Sequence, residues 1–203
     1  MASEKRERAT SLRERRQSRT REELVDAVLR VIAEGGLSDA TIDRVSAESG
    51  ISRGTVYAHF PGGRDELLRA SYARLGTQLA ERTREAVLAA GDWQSRLVVH
   101  ARALFDLAGD ARIGHFYNVS GPALLTRGPE RGIGSGTSTG LIRETLEEAQ
   151  RSGEVDAALD AEATAVLLVG ALREAAIAVA AGTGDSERDY AAFARLVAGL
   201  AAR

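Results

Sequence analysis

Apolar residues recur at helical spacing along most of this chain of 203 residues. Leu24, Val25, Val28, Leu29 and Ile32 make a stripe that stops at Gly35-Gly36. Two short segments follow: Ile42 and Val45, with Ala47 beside them, run to Gly50, and Arg53 to Phe60 turns Val56 and Phe60 to one face. Leu68, Tyr72, Leu75 and Leu79 predict a long helix from about Asp65 to Ala90, and Trp93, Leu97, Ala101, Leu104 and Phe105 predict another between Asp92 and Ala108. Residues 113–125 are less regular and break at Gly121-Pro122, and five glycines between Thr126 and Gly140 predict a mobile loop. Beyond it, Leu141, Ile142, Thr145, Leu146 and Ala149 mark a helix ending at Gly153. Asp160 offers an N-cap to a long helix reaching about Ala181, and Tyr190, Phe193, Val197 and Leu200 mark a last one. Aromatic and β-branched runs are scarce, so the prediction is an all-α fold packed through Ala, Leu and Val.

The two short segments are joined by Gly50-Ile51-Ser52, where each residue type has a physical task. Gly50 takes a positive φ at a helix end without a Cβ penalty, so the chain turns sharply there. Ile51 plugs the angle between the helices, and Ser52 caps the second by accepting from a backbone N–H two or three residues on. Arg53, Gly54, Thr55, Tyr57 and His59 are left on the outer face. A short helix carrying hydroxyls, a guanidinium, an imidazole and a glycine suits the floor of a DNA major groove, so these residues predict a helix-turn-helix.

The net charge of −2 conceals an asymmetry. Residues 1–21 hold eight basic groups, Lys5, Arg6, Arg8, Arg13, Arg15, Arg16, Arg19 and Arg21, against Glu4, Glu7 and Glu14, a balance of +5 that leaves −7 on the remainder. A basic arm ahead of a DNA-reading helix adds salt-dependent affinity by lying along phosphates or entering a minor groove. A solvated tail has the same composition, and both readings stand. The absence of cysteine excludes a disulfide framework and a thiolate metal site and fits a reducing cytoplasm. The N-terminus lacks the apolar core of a signal peptide. Residues 161–182 are apolar along most of their length, but Glu162 and Arg173-Glu174 interrupt them, so a buried interface helix is expected and no membrane.

Gly136-Thr137-Ser138-Thr139-Gly140 spells the G-x-S-x-G pattern of a nucleophile elbow. That chemistry needs a strand running into the serine, and the Gly/Pro-rich stretch 127–135 predicts none, so no catalytic residue and no enzyme are expected. His59, His100 and His115 lack the spacing of metal ligands; no metal and no cofactor are expected. His100, on the helix of Trp93 and Phe105, and His115, beside Phe116 and Tyr117, are candidate liners of a ligand pocket, against the plainer alternative that they pack the helices. Arg173, inside an apolar helix, needs an anionic partner if buried and none if exposed.

The run from Thr41 through Gly50-Ile51-Ser52-Arg53-Gly54-Thr55-Val56-Tyr57 to His59-Phe60 and Arg64-Asp65-Glu66-Leu67 resembles the DNA-binding domain of the TetR family of bacterial transcriptional regulators. The resemblance implies that Ser52, Arg53, Thr55, Tyr57 and His59 face operator bases or phosphates, that Gly54 permits close packing on DNA, and that Thr41 and Arg64 touch phosphates. The pattern departs in two places. Pro61-Gly62-Gly63 makes the link before Arg64 one residue longer than is commonest, and Ser46 and Ser49 stand where alanine is more usual. Residues 153–172 resemble the approach to the penultimate helix of many members, which implies a homodimer through the last two helices. From the residues alone, the alanine-rich face is compatible with a dimer or with internal packing. Two recognition helices on a twofold axis would read a palindrome.

The implied layout is a basic arm over 1–20, a helix-turn-helix DNA-binding domain over 21–66, and an effector-binding and dimerisation domain over 67–203. The implied function is a cytoplasmic, ligand-responsive repressor, bound as a dimer to a palindromic double-stranded DNA operator and released by a small-molecule effector. The alternatives are an architectural or weakly specific DNA-binding protein, and a helical small-molecule-binding module or enzyme.

Overall fold

The computed structural model describes residues 2–124 and 133–202, which form helices, turns and loops with one isolated antiparallel bridge, Val155 to Ala201. The chain divides into two compact units, Met1–Ser71 and Tyr72–Arg203, and the division falls inside a helix, where the sequence suggests a boundary after residue 66.

The N-terminal unit comprises α1 (Ala2–Gly35), a 3-10 turn (Leu37–Asp39), α2 (Ile42–Ser49), α3 (Arg53–His59) and the first turns of α4 (Gly63–Ala89). α1 is longer than its apolar stripe predicts. No glycine or proline interrupts residues 2–34, so the backbone expected to form an arm continues the helix instead. On the exposed part, Arg19 Nε pairs with Glu23 at 2.8 Å and Ser18 Oγ donates to Glu22 at 3.1 Å, the contacts that residues four apart on a helix make. Leu24, Val28, Val31 and Ile32 are buried, and α1 packs on α2 and α3, which add Val45 and Val56 to the same core. Burying a side chain of this size stabilises by about 1.5–3 kcal/mol. Ala47 is exposed, because two positions beyond Val45 a helix has turned to its opposite side.

The C-terminal unit holds the rest of α4, then α5 (Trp93–Ala108), α6 (Ile113–His115), a π-helical turn (Phe116–Ser120), α7 (Gly121–Leu124), α8 (Ile133–Arg151), α9 (Ala161–Ala180) and α10 (Ser186–Ala198). Asp92, Asp160 and Asp185 cap α5, α9 and α10 by accepting from the N–H of Ser95 at 2.8 Å, Ala163 at 2.9 Å and Arg188 at 3.1 Å. α8 packs on α9, and α5 packs on α8, α9 and α10. Trp93, Leu97, Phe105, Ile142, Leu146, Leu172 and Phe193 fill the space between them.

The glycine-rich stretch corrects the sequence reading. Residues 125–132 lie outside the described ones, but Ile133–Gly140 form the first turns of α8 where a loop is predicted through Gly140. Gly134 serves close packing there, since a Cβ would stand 2.6 Å from Tyr117 Oη. Thr139 Oγ1 donates to the Ser135 carbonyl at 2.9 Å, so that hydroxyl is used within the helix. Tertiary contact here outweighs the low helix propensity of glycine. Ser138 consequently lies within a helix, and the strand-to-helix turn of a nucleophile elbow is not formed around it.

α9 is long and apolar enough by length and composition to cross a membrane, and 28% of its most apolar stretch is buried. Ala165, Leu168, Leu172 and Ala176 face the core, whereas Val166 and Leu167 are 53% and 73% exposed.

Candidate DNA-binding surface and ligand cavity

The turn between α2 and α3 is held by more polar contacts than a glycine and a cap. Gly50 has φ +69° and ends α2 in the left-handed conformation. Ser46 Oγ donates to the Ile51 carbonyl at 2.7 Å, Ser49 Oγ donates to the Val45 carbonyl at 2.8 Å, and the Ile51 N–H donates to Ser49 Oγ at 3.2 Å. The two serines that depart from the resembled pattern are thus the clamps of the turn. Ser52 Oγ accepts from the Thr55 N–H at 3.3 Å and pairs with Thr55 Oγ1 at 3.0 Å, capping α3.

Val56 and Phe60 are completely buried and fix the inner face of α3. A guanidinium holds the end of that helix: Arg21, counted with the basic arm from sequence, lies 4.0 Å over the Phe60 ring, donates to the His59 carbonyl and pairs with Glu66 at 3.8 Å.

Ser52, Arg53, Gly54 and Tyr57 stand exposed on the outer face, with Thr55 and His59 half-buried beside them. Tyr57 is 48% exposed, unusual for an aromatic that could have joined the core. A Cβ on Gly54 would meet only Ser52 Oγ at 4.0 Å, so the chain's own packing does not require glycine there. Arg53 Nη1 is held by Asp43 at 2.9 Å across exposed surface, a pairing a phosphate can displace at little cost. His59 Nδ1 is buried with no hydrogen-bond partner among the described residues.

The two residues read as phosphate contacts also have structural duties. Thr41 caps α2, its Oγ1 accepting from the Arg44 N–H at 3.2 Å, which leaves its hydroxyl proton to donate outward. Arg64 Nε and Nη2 donate to the carbonyls of Ala40 and Leu37, each at 2.8 Å, closing the loop after the 3-10 turn.

The C-terminal unit encloses a cavity of about 380 Å³ bounded by residues of α4, α5, the π-helical turn, α7, α8 and α9. His100, Tyr117 and Arg173, read from sequence as candidate ligand contacts, all line it. The other four do not. Trp93 and Phe105 belong to the core between α5 and its neighbours, Phe116 is buried with its edge against Tyr72, and His115 is exposed. Tyr72, Leu79 and Thr83 of α4 line the cavity although sequence reading did not single them out for it. Thr83 is the available signal, a hydroxyl four positions after Leu79 in an apolar stripe, and it is 2% exposed.

His100 is 2% exposed, and neither ring nitrogen has a hydrogen-bond partner among the described residues. Each polar group so buried costs about 1–3 kcal/mol. Removal from water disfavours the charged imidazole and brings its pKa down to about 4, so it is neutral in the physiological range. Tyr117 stacks on Tyr72 at 4.9 Å between centroids and 19° between planes. Burial first, and Tyr72 second, push the Tyr117 hydroxyl above its ordinary pKa, while Arg173 acts in the opposite direction. Arg173 itself is exposed, so it needs no buried counter-ion. Among the described residues no group of three or more His, Cys, Asp or Glu is placed to hold a metal ion.

Two family models match the chain. One described as bacterial regulatory proteins of the tetR family covers residues 24–71, and one described as the tetracyclin repressor-like C-terminal domain covers 94–201. The HTH-type transcriptional regulator SrpR of Pseudomonas putida is 44% identical over 54 residues, 27% of this chain and 25% of that protein. The HTH-type transcriptional regulator BetI of Paraburkholderia phymatum is 34% identical over 107 residues, 52% of this chain and 50% of that protein. The chain thus spans a quarter to a half of the length of these curated relatives. A crystal structure of a TetR-family transcriptional regulator from Pectobacterium atrosepticum superposes with a TM-score of 0.74 at 25% identity, covering 93% of this chain and 97% of that one.

Proposed function

We propose, for a chain that belongs to the TetR family of bacterial regulatory proteins, that it is a cytoplasmic repressor which holds a palindromic operator as a homodimer and lets go when a small molecule enters its C-terminal unit. Membership makes it a helix-turn-helix transcriptional regulator and not an enzyme. The operator, the dimer and the effector are the steps proposed beyond that.

The observation that carries the reading is the outer face of α3, where Tyr57 is exposed and Gly54 is unconstrained by the protein's own packing. Tyr57, Thr55 and Ser52 would contact bases or phosphates, with Arg53 exchanging Asp43 for a phosphate and His59 at the end of the helix. Thr41 and the remaining donors of Arg64 would bind phosphates while keeping their backbone contacts. For the dimer, Val166 and Leu167 on α9 and Leu196 on α10, 57% exposed, form apolar surface that a twofold mate would cover. The reading needs no membrane for α9.

For release, the support is the cavity and the His100 imidazole, which has no partner among the described residues. An effector lowers operator affinity only as far as it binds the DNA-incompatible conformation more tightly than the compatible one.

The test is selection of bound duplexes from a random DNA pool by the purified protein at near-physiological salt, followed by sequencing. An enriched palindrome with two half-sites supports dimeric readout. Retention of DNA without enrichment overturns it in favour of a weakly specific binder.

A further inference from the structure

We propose that the cavity of the C-terminal unit selects a small, uncharged, largely apolar compound about the size of a naphthol, which places a hydroxyl group on the imidazole of His100. The inference rests on the effector reading above and deepens it by naming the ligand's chemistry.

His100 supplies the first argument. It is 2% exposed, lines the cavity and has no partner for either ring nitrogen among the described residues. A neutral imidazole offers one donor and one acceptor, and which nitrogen carries the proton depends on its partner. A hydroxyl is both donor and acceptor, so it satisfies whichever nitrogen faces the cavity. An ether or ketone only accepts and an ammonium only donates.

The charge distribution supplies the second. Thr83, Tyr117, Asn118 and Ser138 contribute uncharged polar atoms to the lining, and the one cation among the described lining residues, Arg173, belongs to an exposed position. Burial keeps His100 neutral, so an anion set on its imidazole would meet no charged donor there, and the described lining residues include no carboxylate to hold a cation.

Shape supplies the third. The stacked rings of Tyr72 and Tyr117 form an aromatic wall, and Leu79, Leu104, Leu172 and Ile177 supply apolar surface. About 380 Å³ lies at the small end of ligand pockets, suited to one or two fused rings.

The experiment is calorimetric titration of the full-length protein with 2-naphthol, naphthalene and 2-naphthoate, repeated on His100→Phe and His100→Gln, with helix content checked by circular dichroism. We expect 2-naphthol to bind about tenfold tighter than naphthalene and 2-naphthoate, the factor that one net hydrogen bond supplies. His100→Phe should erase the advantage over naphthalene, and His100→Gln, which retains a donor and an acceptor, should restore part of it. Equal binding of naphthol and naphthalene, tighter binding of the acid, or binding of none of the three overturns the proposal.

Release of the selected duplex is measured separately. If 2-naphthol binds with the expected preference but leaves DNA bound, the ligand class stands and the effector role fails. If a compound of another class releases DNA while the naphthol series does not bind, the class falls and the regulatory reading stands.

Discussion

The guanidinium of Arg21 lies 4.0 Å from the centre of the Phe60 ring and donates to the carbonyl of His59, so a residue of α1 fastens the end of α3. By charge count Arg21 is one more member of a basic arm; by position it is part of the N-terminal unit's frame. Arg21→Ala should therefore destabilise this unit by about 2 kcal/mol, the sum of the low ends for a partly exposed cation–π contact and a charge-assisted hydrogen bond. The urea midpoint measures it. Arg21→Lys should recover little, because a lysine ammonium lacks the planar fork that both stacks and donates. A midpoint unmoved by either change would mean that the contact does not matter in solution.

Deleting residues 2–18 removes the first turns of α1, of which residues 14–18 are exposed, and leaves its core residues Leu24, Val28, Val31 and Ile32 in place. The expected result is lower helix content, little change in thermal midpoint, weaker DNA binding and a shallower dependence of log affinity on log salt. An identical salt slope in the truncated protein would make this stretch a spectator in DNA binding.

On α3, Tyr57→Ala and Thr55→Ala should each weaken binding to the selected duplex by about tenfold or more, a loss of about 1–3 kcal/mol per contact, with helix content and oligomeric state unchanged. Fluorescence anisotropy on labelled DNA reads this directly. Undiminished affinity in both variants removes α3 as the reading element.

Gly134 gives a steric prediction in the C-terminal unit. A Cβ there stands 2.6 Å from Tyr117 Oη, so Gly134→Ala must displace the tyrosine or the start of α8. The cost should be about 1–3 kcal/mol of overpacking, partly relieved by Tyr117→Phe, which removes the clashing oxygen. Additive effects in the double mutant would argue against the contact.

His100 makes stability depend on pH in a defined sense. Its pKa falls from an ordinary 6.5 to about 4 on folding, so between those values the unfolded chain holds a proton that the folded one does not. Stability therefore drops as pH falls through this window and the loss is complete below it. At pH 5 the loss is at most about 2 kcal/mol relative to neutral pH. The thermal midpoint of the wild type should fall more steeply than that of His100→Phe as the pH is lowered from about 7 to about 5. Parallel curves would assign the pH dependence to other groups.

The all-α fold and the helix-turn-helix were legible in the sequence because their determinants act over a turn or two of chain. The stripe ending at Gly35, the αL turn at Gly50, the Ser52 cap and the Asp160 cap join residues a few positions apart, and letters alone report such neighbours. The tertiary structure alone decided what contacts between remote positions decide. It gave Arg21 and Arg64 to backbone carbonyls, turned the glycines at the start of α8 from a loop signal into a close-packing device, and separated His100, Tyr117 and Arg173, which share a cavity, from Trp93, Phe105, Phe116 and His115, which do not line it. The physical reason is that the direction of a side chain is set by the helix it belongs to, whereas its surroundings are set by which other helices pack against that face, and no local pattern carries that information.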